Sequence, residues 1–204
     1  MIKILPCNTV SKDEMFARTE TVVPVGEIVS EIISRVRKEG DRALYDYCAK
    51  FDKVTLTELK VSQAEIDEAF QTVSPKFLEV LQKAADNIRK FHQMQKRQGF
   101  QIEEANGVIV GQKIIPVDRA GLYVPGGTAA YPSTVLMDAI PAKIAGCQDV
   151  IMVTPPGKDG KVNPVILAAA KIAGVDQIFK VGGAQAVAAL AYGTESIPKV
   201  DKIV

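Results

Sequence analysis

From Ala120 onward, short, continuously apolar runs alternate with stretches of helical character. "AGLYV" (Ala120–Val124) leads to a helix around Ser133 to Ala145, and "DVIMVT" (Asp149–Thr154) to a helix around Pro164 to Ala173. "QIFKV" (Gln177–Val181) then leads to a helix around Gln185 to Tyr192, and "VDKIV" (Val200–Val204) opens a further strand. A strand without polar alternation has to be covered on both faces. Strands that alternate with helices achieve this as a parallel sheet joined by right-handed crossovers. The expected architecture is Rossmann-like, and because Val204 falls inside an apolar strand, the pattern reads as a truncated, incomplete sheet.

The chain before Ala120 has a different texture. Ile28, Val29, Ile32, Ile33 and Val36, then Ala43, Leu44, Tyr47, Cys48 and Phe51, recur every three or four residues, which predicts two amphipathic helices between Val25 and Phe51. Gly40 supplies a stop and Asp41 an expected N-cap. Ser62 with Glu65 forms a capping box. Ser74-Pro75 opens a longer helix with Phe77, Leu78, Leu81, Ala85, Ile88 and Phe91 on one face. After Gly99 come β-branched runs, and Asn106-Gly107 predicts a hairpin turn between Phe100–Glu104 and Val108–Ile115. The fold class is therefore α/β: a helical N-terminal region with a β-hairpin, residues 1–119, followed by an incomplete Rossmann-like parallel sheet, residues 120–204.

Two Gly-Gly pairs follow strands directly, in "VPGG" (Val124–Gly127) and "VGGAQA" (Val181–Ala186). At the carboxyl ends of parallel strands glycine lets a ligand approach the backbone, and a helix start favours anions. A tight turn explains either pair alone; two pairs at equivalent positions favour a ligand. Neither forms G-x-G-x-x-G, and no P-loop is present. Tyr123 has two readings, a ring or hydroxyl facing a ligand or a core aromatic at a strand end. Gln185 would hydrogen-bond a ribose or amide, or simply solvate the N–H groups of its helix.

Other chemistry is thin. Lys and Arg number 25 against 24 Asp and Glu, a net charge of +1, so no global field draws the chain to nucleic acid or to anionic membranes. No apolar run approaches the roughly 18 residues needed to span a bilayer. Cys7, Cys48 and Cys147 form no C-x-x-C pair, which fits a reducing, cytoplasmic setting. His92 is the single histidine, on a helix rich in Lys and Gln, and Cys147 reads as a small buried hydrophobe. Neither supports a metal site or a nucleophile and base, so no catalytic or metal-ligating residue is assigned.

Taken together, "NIRKFHQMQ", "RAGLYVPGGTAAYPSTVLMDAIPAKIAGC" and "KVGGAQAVAALAYGTESIPKVDKIV" closely resemble histidinol dehydrogenase, and the likeness runs over essentially the whole chain. The resemblance implies a zinc-dependent cytoplasmic homodimer that oxidises L-histidinol to L-histidine through an aldehyde, passing two hydrides to two NAD molecules. It places the family's NAD-contacting tyrosine on Tyr123 and its NAD-contacting glutamine on Gln185. The zinc ligands, the Glu-His pair that handles protons and a Gly-Pro-Gly-Asn turn would fall after Val204. Segments after residue 204 would also complete the helical half. The expected protein is an inactive amino-terminal part of this enzyme. A rival of another class is a non-catalytic nucleotide-binding or protein-interaction module complete at 204 residues.

Overall fold

A computed structural model describes residues 9–13, 25–126 and 130–204. Cys7 and Gly127 lie outside the described residues. The helical region consists of α1 (Gly26–Glu39), α2 (Asp41–Tyr47) running into a π-helical turn (Cys48–Asp52), α3 (Gln63–Thr72) and α4 (Pro75–Gln93). A ribbon of β1 (Phe100–Glu103) and β2 (Ile109–Gln112) follows. Then come β3 (Arg119–Tyr123), α5 (Pro132–Ala145), β4 (Asp149–Thr154), α6 (Pro164–Ala173), β5 (Gln177–Lys180), α7 (Gly183–Tyr192) and β6 (Lys202–Ile203).

Most of the local signals act as expected. Ser62 and Glu65 close the capping box of α3, and Ser74 Oγ accepts from Phe77 N–H with Pro75 at the first helical position of α4. Val108 N–H donates to Asn106 Oδ1 at 3.0 Å, and Gly107 takes φ +85°, so the hairpin turn stands where Asn106-Gly107 predicts it. Two expectations change. Gly40, at φ +56°, caps α2, and Asp41 is the first helical residue. The Asp41 carboxylate instead accepts from Ser196 N–H and Oγ–H, while Glu195 Oε2 accepts from Asp41 N–H at 2.7 Å. On α4 only Leu81 and Ala85 are buried, whereas Phe77 and Phe91 are exposed.

The sheet order is β5-β4-β3-β6 with every pair parallel. Numbered among themselves, the strands run 3-2-1-4, the doubly wound order that reverses between β3 and β6. Pairing continues to the last residue: Tyr123 N–H donates to Val204 O and Val204 N–H to Gly121 O, each at 2.9 Å. The outer edge of β5 is covered by residues 59–61, where Lys180 N–H donates to Leu59 O at 2.7 Å and Val61 N–H to Ile178 O at 2.9 Å. That pairing occupies an edge otherwise open to other chains.

Side-chain alternation sorts the strands between two cores. Ala120, Leu122, Val124, Val150, Met152 and Ile178 face α3, α4, α5 and α6. Ile151, Val153, Phe179 and Val181 face α1, α2 and α7. Both cores therefore draw on residues from either side of Ala120. Burying each large apolar side chain contributes roughly 1.5–3 kcal/mol. α7 and the segment after it lie so close to the sheet that a Cβ on Gly121 would stand 3.1 Å from Leu190 Cδ1 of α7 and 2.8 Å from Val200 Cγ2. All the ligand-facing candidates fall at one edge of this sandwich, the carboxyl ends of the strands.

Candidate functional site at the carboxyl edge of the sheet

Tyr123 ends β3, and its half-buried ring packs on the core beneath α7. Its hydroxyl oxygen accepts from Gly183 N–H at 3.2 Å. Gly182, the N-cap of α7, has no side chain to offer, so the tyrosine caps this helix from another strand. Among the described residues the phenolic hydrogen meets no acceptor. Gln185 sits in the first turn of α7, only 2% exposed. Its amide folds back over Gly183, whose φ is +68° and whose hypothetical Cβ would lie 2.8 Å from Gln185 Oε1. The structure thus brings Tyr123, Gly183 and Gln185 together at the first turn of α7, beside the β3–β6 reversal. Such helix starts carry partial positive charge and suit an anion or an oxygen-rich ligand.

A cavity of about 750 Å³ opens on the other side of the same edge. Its walls include Glu65, Glu68 and Ala69 of α3, Pro125, Gly126 and Pro155 at the strand ends, and Ile166 of α6. It does not reach Tyr123 or Gln185. Lys180 Nζ, from the end of β5, meets Glu65 Oε1 at 2.6 Å. Burial pushes the Glu65 carboxyl up, but hydrogen bonds from Lys180 and Ser62 outweigh it and hold the group below its ordinary value. On the rim Lys161 reaches both Glu68 carboxylate oxygens, at 3.0 and 3.1 Å. Asp52, in the π-helical turn, has one carboxylate oxygen buried without a hydrogen-bond partner, and burial raises its pKa.

The first glycine of each pair has a specific neighbour. A Cβ on Gly126 would stand 2.3 Å from Pro155 Cγ, and one on Gly182 would stand 2.7 Å from Pro155 Cβ. Residue patterns do not reveal Pro155, since the contacts arise only when the turns after three strands meet. Its position directly after an apolar strand was the one available signal. Lys180 was equally hidden, as its partner Glu65 lies 115 residues earlier in the chain (180 − 65).

Among the described residues the remaining reactive side chains form no second centre. His92 Nδ1 pairs with Gln95 Oε1 at 2.7 Å on α4 and its neighbouring turn. Cys48 is fully buried, with its thiol pushed up to about 12 by burial and then by Asp52. Burial likewise raises Cys147. Among the described residues no three His, Cys, Asp or Glu side chains gather into a group that could hold a metal ion. No helix among them is long and apolar enough to cross a membrane.

The family profile described as histidinol dehydrogenase matches residues 17–204. This chain belongs to the histidinol dehydrogenase family. A histidinol dehydrogenase of Lactiplantibacillus plantarum is 60% identical over 184 residues, 90% of this chain and 43% of the relative. One from Listeria monocytogenes is 55% identical over 186 residues, covering 91% and 43%. One from Methanosarcina barkeri is 47% identical over 203 residues, covering 99% and 47%. The crystal structure of histidinol dehydrogenase from Elizabethkingia anophelis superposes with a TM-score of 0.86 at 41% identity, over 91% of this chain and 43% of that one. The chain thus spans less than half the length of these members of the family.

Proposed function

We propose that these residues form part of the NAD-binding cleft of an enzyme that oxidises L-histidinol to L-histidine through an aldehyde. The observation that carries this reading is the convergence of Tyr123 and Gln185 on the first turn of α7, beside the point where strand order reverses. The residues fit a dinucleotide. The Tyr123 hydroxyl, its oxygen engaged by Gly183 N–H, donates its hydrogen to a ribose or amide oxygen. The Gln185 amide offers a donor and an acceptor at the same place, and the helix start of α7 favours a phosphate. When bound, NAD supplies the hydride acceptor.

On this reading Tyr123 and Gln185 hold the cofactor, and the proton transfers of the alcohol oxidation are assigned to residues after 204. Zinc does not fit the side chains described here, and its ligands are placed after residue 204 on this reading. The working form is a cytoplasmic homodimer with a small-molecule substrate.

The test is kinetic, on the protein expressed from its complete reading frame. Tyr123→Ala and Gln185→Ala should each raise the apparent constant for NAD roughly fivefold to tenfold, the effect of losing one hydrogen bond or one packed ring face. The constant for histidinol and the zinc content should stay unchanged. Normal NAD saturation with impaired histidinol saturation would assign the cleft to the other ligand and overturn the reading.

A further inference from the structure

Pro155 follows β4, the strand between β3 and β5, and stands where the turns after those two strands approach each other. The two turns belong to strands two spacings apart, about 9–10 Å. The Tyr123–Gly183 hydrogen bond has to span that distance across the end of β4. A rigid ring at this point sets how closely the turns can approach. Proline suits the place because its ring keeps one shape and it carries no N–H that would need a partner in a crowded turn.

The glycines show how tightly the ring is held. A Cβ on Gly126 would be 2.3 Å from Pro155 Cγ, 3.1 Å from Cδ and 3.4 Å from Cβ. A Cβ on Gly182 would be 2.7 Å from Pro155 Cβ and 3.1 Å from both Cγ and Cδ. Neither glycine is held in a left-handed conformation: Gly182 has φ −122° and ψ −174°, extended backbone open to any residue, and Gly126 does not take a positive φ. What these two positions supply is room, and the proline ring fills it. Gly183 differs, since its φ of +68° requires glycine on backbone grounds.

We propose that Pro155 is a positioning residue of the cofactor cleft, wedged between Gly126 and Gly182 so that it sets the spacing of the β3–α5 turn against the first turn of α7. The glycines at 126 and 182 make room for the Pro155 ring. The proposal rests on the reading of Tyr123 and Gln185 as NAD contacts. Enlarging either glycine pushes Pro155 against the opposite turn, moves Gly183 relative to Tyr123, and weakens NAD without touching it.

The distances define a suppression test in the protein expressed from its complete reading frame, read by direct titration with NADH and by steady-state kinetics. Gly182→Ala should raise the NADH dissociation constant about tenfold or more while kcat at saturation falls less, because a misplaced turn is felt first in binding. Pro155→Gly in the same chain removes all three ring carbons and should restore binding to within about threefold of the parent. Pro155→Ala keeps the Cβ that meets residue 182 and should fail to restore it. For Gly126→Ala, Pro155→Ala should suffice as well as Pro155→Gly, since the surviving Cβ would lie at an ordinary contact distance of 3.4 Å. In Gly182→Ala, finding both second changes equally good or equally useless overturns the proposal, as does failure of Pro155→Ala to relieve Gly126→Ala. If the alanine variants do not fold, Pro155→Ala alone still decides: a folded protein with unchanged NADH binding overturns it, and weakened binding with near-parent kcat supports it. Gln185→Ala separates the two readings. Should Gln185→Ala weaken NADH while Gly182→Ala does not, Pro155 loses its role and the cleft keeps its ligand; should neither weaken it, the cleft assignment falls and the proposal with it.

Discussion

Glu65 joins two interactions of different range. Its Oε2 accepts from Ser62 N–H at 2.9 Å, the local half of a capping box, and its Oε1 meets Lys180 Nζ at 2.6 Å, which ties α3 to the end of β5. The first is legible in sequence because both partners lie within one helical turn. The second is not, because nothing local distinguishes Lys180 from a solvated lysine until the sheet places it against α3. Lys180→Met should destabilise the fold by about 1–2 kcal/mol, since Glu65 loses its cation while both side chains keep some contact with solvent. The folded Glu65 lies below its ordinary value, so the stabilisation is present above the unfolded carboxylate pKa, near 4, and is lost as pH falls through the folded value. Urea unfolding of parent and variant should therefore show a gap at pH 7 that closes on acidification. A gap independent of pH would mean that the pair contributes by packing alone. Tyr123 divides in the same way: its place at the end of a strand is readable, but its role as the cap of α7 depends on where Gly183 comes to lie.

Helix ends show most clearly what sequence conveys about elements. Ser62, Ser74 and Asn163 cap their own helices, each accepting from an N–H two or three residues on, so three residues of sequence suffice to find them. The start of α2 obeys different partners. Asp41 has the composition of an N-cap, yet its carboxylate is held by Ser196, and the N–H it leaves open is taken by Glu195, 154 residues away. Gly40 makes this reciprocal contact possible. Its φ is +56°, and a Cβ there would stand 2.2 Å from Glu195 Oε2. Gly40→Ala should cost roughly 2–3 kcal/mol by combining backbone strain with displacement of the Glu195 cap. Adding Glu195→Ala should recover the steric part only, leaving the strain. Thermal denaturation of the two variants measures both contributions, and full recovery in the double variant would show that the backbone conformation costs nothing.

At the scale of the whole molecule, the parallel sheet and its alternation between two cores follow from apolar runs that no one-sided sheet could bury. What sequence could not convey is that the early helices supply both outer layers. α1 and α2 join α7 on one face, and α3 and α4 join α5 and α6 on the other, although residues 26–93 and 119–203 look like separate textures. The hairpin stands outside this arrangement. Phe100, Ile102, Val108 and Val110 are 49–59% exposed, and the pairing of Ile102 with Val110 puts them on one face of a ribbon whose other face carries Gln101 and Glu103 beside Gly111 and Ile109. Phe91 and Met94 at the end of α4 are 64% and 86% exposed. A two-stranded ribbon gains little stability by itself, and a contiguous apolar face of this kind favours association. The 204-residue chain produced alone should therefore self-associate as its concentration rises, in a manner weakened by charge on that face. Sedimentation velocity over a concentration series should show growing species for the parent chain, whereas Ile102→Lys with Val110→Lys should shift it toward monomer with little change in helix content by circular dichroism. Lysines at Gln101 and Glu103, on the opposite face, should leave the association unchanged. If those substitutions dissolve the assemblies equally well, net charge rather than the apolar ribbon governs solubility, and the exposed face has no part in it.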